Sequence, residues 1–93
     1  MTSYIVSYDL KNTEGSQDYQ PLWDYFEAHE AQRVQESLWF LSSSLSARKL
    51  TELLMTFVDP STNFFISELV DESWWENEKE GTNEWFKANP PLR

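Results

Sequence analysis

The sequence predicts a small α+β domain, and three observations predict it. Two segments, Ser3–Asp9 and Phe64–Val70, are dense in aromatic and β-branched residues, and a third, Arg33–Leu41, is long enough for one bent strand or for two short strands joined at Glu36-Ser37. Between them lie two stretches with helical spacing of apolar residues. Only two Gly and four Pro occur in 93 residues, which argues against a turn-dense barrel or a flexible chain. At 40% hydrophobic residues, with five Trp, four Tyr and six Phe, one domain of this length can build a core.

In chain order, Tyr4, Ile5, Val6 and Tyr8 form a nearly continuous apolar run, the mark of a central strand covered on at least one face. Asp9-Leu10 ends it, and a polar loop with Gly15 follows. Asp18 is placed to cap a helix, with Pro21 in the first turn, where its missing N–H is not needed. Leu22, Phe26 and His29 fall near one face of that helix; Asp24, Glu27 and Glu30 lie on the other. Ser42, Ser43 and Ser44 close the next strand segment, and Ser44 or Ser46 opens a second helix. Leu50, Leu53, Leu54, Phe57 and Val58 carry the clearest helical spacing of the chain. Asp59-Pro60 stops it, because the residue before proline avoids the helical region. After Val70 an acidic stretch with Trp74-Trp75 runs to Gly81, and Thr82 is placed to cap a short helix over 83–88 with Trp85 and Phe86. With the second strand split, the order is βαββαβ, the ferredoxin-like sandwich of one sheet with two helices on one face, followed by a Trp-rich C-terminal extension. The expected division is a core over residues 1–70 and an extension over 71–93.

Charge and composition exclude several functions. There is no cysteine and one histidine, so disulfide scaffolds, thiolate metal sites, cysteine nucleophiles and multi-histidine sites are out. Sixteen acids against seven bases give a net charge of −9, shared by both parts of the chain: −6 over residues 1–70 and −3 over 71–93. Tight phosphate binding needs clustered Lys and Arg, and only Arg48-Lys49 are adjacent, so nucleic acid is a doubtful partner. The negative surface either keeps a small protein soluble or docks on a basic protein partner. No apolar run approaches a membrane span and the N-terminus lacks a basic leader, so a cytoplasmic protein is expected.

Several short stretches are similar to known families. Tyr4-Ile5-Val6-Ser7-Tyr8-Asp9-Leu10 resembles the opening strand of a superfamily of small ferredoxin-like proteins that includes the CRISPR-associated adaptation endonuclease and the VapD toxins. Arg33-Val34-Gln35-Glu36-Ser37-Leu38-Trp39-Phe40 resembles the adaptation family's Arg-Val-Gln-x-Ser-Val-Phe signature. The run of Tyr8-Asp9-Leu10, Asp18-Tyr19 and Glu36-Ser37-Leu38-Trp39 is most similar to a group of small bacterial and phage proteins labelled SinR-like, which also end in a Trp-bearing segment and a short helix. The SinR label suggests a transcription regulator, yet the sequence has no helix-turn-helix and no basic recognition helix. The resemblance implies a homodimer. It also implies that Asp9 pairs with its copy across the two-fold axis to hold a divalent cation, Mg²⁺ or Mn²⁺, as catalytic and metal-binding residue of a nuclease. The sequence departs from that pattern in its scarcity of basic residues: only Lys11, Arg33, Arg48 and Lys49 could serve a substrate.

Each candidate residue also has a structural reading. Asp9 can hold the strand-to-loop turn through its backbone. His29 lacks a catalytic constellation and reads as helix-end packing. Ser42, Ser43, Ser44 and Ser46 read as strand-end and cap chemistry. Trp74, Trp75, Trp85 and Phe86 either form an interface with a partner subunit or cover the chain's own sheet; stacking on bases is disfavoured by Asp71, Glu72, Glu76, Glu78 and Glu80 around them. Two functions follow. One is a non-catalytic interaction or regulatory module in a phage or bacterial defence setting, favoured by the charge. The other is a metal-dependent nuclease using Asp9 from both subunits, favoured by the match at Asp9.

Overall fold

The computed structural model describes residues 1–9 and 19–93. The expectations for Leu10, Lys11, the loop with Gly15 and the cap at Asp18 lie outside the described residues. The chain is a small α+β protein with one four-stranded antiparallel sheet and three α-helices. Its elements are β1 (Thr2–Tyr8), α1 (Gln20–Ala28), β2 (Gln32–Gln35), β3 (Leu38–Ser43), α2 (Ala47–Leu54) with a 3-10 turn at Met55–Phe57, β4 (Phe64–Glu68) and α3 (Thr82–Ala88). The strands lie in the order β2-β3-β1-β4.

The local chemistry explains most boundaries. Arg33–Leu41 splits into β2 and β3 at Glu36-Ser37, with a register shift between Arg33 and Gln35. Ser46, not Ser44, caps α2, accepting from the Lys49 N–H at 3.2 Å. The N-cap of α1 is Tyr19, whose side chain caps nothing; Pro21 sits in the first turn as expected. Chain reversal after α1 puts Glu30 at φ 55°, and the Ala31 N–H bonds back to the Phe26 carbonyl at 2.9 Å, closing the helix end. The helical spacing of Phe57 and Val58 is completed by the 3-10 turn and an extended Val58, not by α2 itself. Likewise β4 ends at Glu68, two residues before Val70, although the Leu69 N–H still bonds the Ser3 carbonyl at 2.8 Å.

Alternation along β1 and β3 sends residues to two faces. On one face Tyr4, Val6, Tyr8, Trp39 and Leu41 meet Leu22 and Phe26 of α1 and Leu50 and Leu54 of α2. Phe26 stacks on Trp39 at 4.5 Å, and the Tyr8 hydroxyl accepts both the Trp23 and the Trp39 indole N–H, at 2.8 and 3.2 Å. Both indoles are thus satisfied inside an apolar layer. The Arg33 guanidinium lies over the rings of Trp23 and Trp39, 4.9 and 5.3 Å from their centroids. Such contacts contribute roughly 0.5–2 kcal/mol each.

On the other face Val34, Phe40 and Leu69 form a second, smaller core with Trp85 of α3, flanked by Ile5, Leu38, Trp75 and Phe86. The C-terminal segment therefore packs on the chain's own sheet. Trp85 donates its indole N–H to the Glu30 carbonyl at 2.8 Å, and Gln32 donates to the Glu80 carbonyl at 3.1 Å. Gly81, at φ 95°, is the N-cap of α3; a Cβ there would meet Gln32 Oε1 at 2.9 Å, so the turn takes glycine. Beyond α3 the tail returns across the sheet: the Ser3 hydroxyl bonds the Asn89 carbonyl at 2.8 Å, and Arg93 pairs with Glu68 at 2.8 Å. Among the described residues, no helix is long and apolar enough to cross a membrane.

Candidate functional site

Asp9 sits just past the end of β1 and is exposed. It is clasped to the turn before β4: its N–H bonds the Asn63 carbonyl and its Oδ2 accepts from Asn63 Nδ2, both at 3.2 Å. Its own carbonyl accepts from the Tyr19 hydroxyl at 3.3 Å. One carboxylate oxygen is thus used in the turn. Among the described residues no group of three or more His, Asp and Glu side chains could hold a metal ion. Hard cations take six or more oxygens, and among the described residues Asp9 offers a single carboxylate toward such a shell.

The other candidates are structural in geometry. His29 is exposed at the end of α1, stacks on Tyr25 at 4.0 Å and bonds the Tyr25 carbonyl through Nδ1 at 2.9 Å. Burial raises the Tyr25 phenol above its ordinary value. Ser43 accepts from the Leu45 N–H and Ser46 from the Lys49 N–H, the strand-end and helix-cap contacts. Arg33 donates to the Glu36 carbonyl at 2.7 Å while stacked on two indoles, and Arg48 pairs with Glu52 at 3.3 Å.

The Trp-rich segment divides by role. Trp85 is 8% exposed and belongs to the second core. Trp75 is half-buried, edge-on to Phe40 at 5.7 Å and to Phe86 at 5.0 Å, with its N–H on Asn83 at 2.8 Å. Trp74 is 88% exposed. It stands at a cleft of about 400 Å³ between the sheet and the segment after β4. Ile5, Leu38, Phe40 and Trp75 floor this cleft, and Gln35, Glu76 and Glu78 stand at its edge. The Trp74 indole N–H reaches Glu76 at 3.3 Å, and Glu78 accepts from Gln35 at 3.2 Å. The neighbouring Lys79 pairs with Glu36 at 3.7 Å instead. Phe65 of the edge strand β4 is 67% exposed and lies opposite Ser7, on the same side of the sheet as the cleft.

Sequence reasoning singled out the tryptophans but missed Ile5, Leu38, Gln35 and Phe65 as surface around them and Phe40 as the core ring beneath Trp75. The alternation in β1 and β3 was the available signal; it groups Ile5, Leu38 and Phe40 on one face without saying which face the helices take. No protein-family model matches the sequence, and no solved structure matches the chain.

Proposed function

We propose that the chain is a non-catalytic interaction module: a small acidic protein of ferredoxin-like fold, acting as a homodimer in a bacterial or phage defence or regulatory setting. It docks a protein partner through the half-covered face of its sheet. The observation that carries this reading is Trp74, an indole left 88% exposed at a cleft lined by Ile5, Leu38 and Trp75 together with Gln35, Glu76 and Glu78. Trp at such positions is the residue type that dominates binding energy at interfaces. The use of Arg33 supports the same reading, since its guanidinium lies over the rings of Trp23 and Trp39 and donates to the Glu36 carbonyl. The fold assignment is supported by the strand order β4-β1-β3-β2, by antiparallel pairing of every neighbour, and by α1 and α2 packing on one face. The homodimer is supported by the resemblance to the adaptation and VapD proteins and by the exposed Phe65 on an edge strand.

The test is a cleavage assay on single-stranded RNA and double-stranded DNA with Mg²⁺ or Mn²⁺, wild type beside Asp9→Asn. Sedimentation velocity is run on both proteins. The expected result is no cleavage by wild type above the Asp9→Asn background, with both proteins dimeric. Cleavage that disappears in Asp9→Asn while the dimer persists would overturn the reading.

That result would establish the second reading, a metal-dependent nuclease, which the exposed position of Asp9 beyond β1 favours. In it Asp9 from each of two copies would hold Mg²⁺ or Mn²⁺, which would polarise a phosphate and activate water. Asn63 would fix the carboxylate through Nδ2.

A further inference from the structure

We infer that the cleft beside Trp74 receives an arginine side chain from an extended, basic and partly apolar segment of a protein partner. This rests on the interaction-module reading and names the chemistry of its partner. The half-buried Ile5, Leu38 and Trp75 line the cleft and suit the aliphatic stem of an arginine. Trp74 presents an indole face to water at its mouth. The indole is held by Glu76, so a carboxylate lies beside the ring, and Glu78 stands at the same edge. An electron-rich ring flanked by carboxylates attracts a cation through both quadrupole and charge, and a planar guanidinium stacks and bonds bidentately at once.

No cation among the described residues is paired with this site. The ion pairs among the described residues are Arg48–Glu52, Lys79–Glu36 and Arg93–Glu68; none involves Glu76 or Glu78. Lys79, next to Glu78 in sequence, is paired with Glu36 instead. A second copy is a poor occupant, because it brings the same net charge of −9 to an acidic rim. The molecule already contains the interaction it would make with its partner: Arg33 lies over Trp23 and Trp39 on the opposite face.

The test is fluorescence anisotropy with a labelled peptide of alternating arginine and leucine, at about 0.15 M salt to suppress long-range attraction. The same peptide with citrulline for arginine is the neutral isostere. The expected result is binding of the arginine peptide, weakened about tenfold by Trp74→Ala and by Glu76→Gln/Glu78→Gln. The control Asp24→Asn/Glu27→Gln, which removes equal charge from the exposed side of α1, should change affinity less than about twofold. Equal losses in control and cleft variants, or an affinity indifferent to Trp74, would overturn the inference. So would no binding of the arginine peptide. Trp74-dependent binding of the citrulline peptide at equal strength would overturn the arginine while leaving a docking cleft. The interaction-module reading itself fails only in the cleavage assay, so the two failures are distinguishable.

Discussion

The two faces of the sheet are closed to different degrees by different kinds of chain. The face under α1 and α2 buries Tyr4, Val6, Tyr8, Leu22, Phe26, Trp39, Leu41, Leu50 and Leu54 in one layer, with its indole N–H groups and its guanidinium partnered inside the protein. The opposite face is covered by one seven-residue helix and an irregular tail, tied to the core by hydrogen bonds at Glu30, Glu80, Asn89 and Glu78 and by the exposed pairs Lys79–Glu36 and Arg93–Glu68. Its core is Val34, Phe40, Leu69 and Trp85, and beyond that core the surface opens at Trp74 and Phe65. The first face is closed by the two helices, whereas the second leaves an exposed indole beside two carboxylates that take neutral hydrogen bonds and, among the described residues, no ion pair. On the proposed reading, the first face serves folding and the second serves recognition.

The largest effect should come from the closed face. Phe26→Ala removes a fully buried ring stacked on Trp39 and should cost about 3–5 kcal/mol, read as the loss of unfolding free energy in guanidinium denaturation. Trp85→Ala should cost about 3 kcal/mol, and it should do so locally. Hydrogen exchange should show the amides of α3 losing protection while those of β1 and β3 keep theirs. Equal loss through the sheet would mean that the two faces fold as one unit and would break the contrast. Gly81→Ala forces an alanine to φ near 95° against Gln32 and should cost about 1–3 kcal/mol, seen as a lower unfolding midpoint and frayed α3 amides. The smallest change in stability belongs to Trp74→Ala, within about 0.5 kcal/mol of wild type, because the ring packs in no core.

Much of the closed face was legible in the sequence. The strand-forming runs Ser3–Asp9 and Phe64–Val70, the split at Glu36-Ser37 as one of two readings, and the spacing of Leu50 and Leu54 are local signals; the elements they marked are present, with their ends reset by tertiary packing. The placement of Arg33 was not legible. It depends on the register that sets Arg33 against Trp39 and on α1 bringing Trp23 over it, which are long-range facts. The three tryptophans of the extension could not be told apart either. Trp74 and Trp75 are neighbours with the same chemistry, and only the path of the segment between β4 and α3 decides that Trp75 turns to Phe40 while Trp74 faces water. Asp9 was singled out in the sequence as a strand-end carboxylate, but its clasp to Asn63 joins positions far apart in the chain and could not be read there.

The most direct measurement is a pair of numbers on one protein: the denaturation midpoint of Trp74→Ala and its affinity for the arginine–leucine peptide. If Trp74 serves recognition, the midpoint stays at the wild-type value while binding weakens about tenfold. A midpoint that falls as far as that of Trp85→Ala, with peptide affinity unchanged, would make Trp74 part of the second core. It would contradict the division of the sheet into a folding face and a binding face.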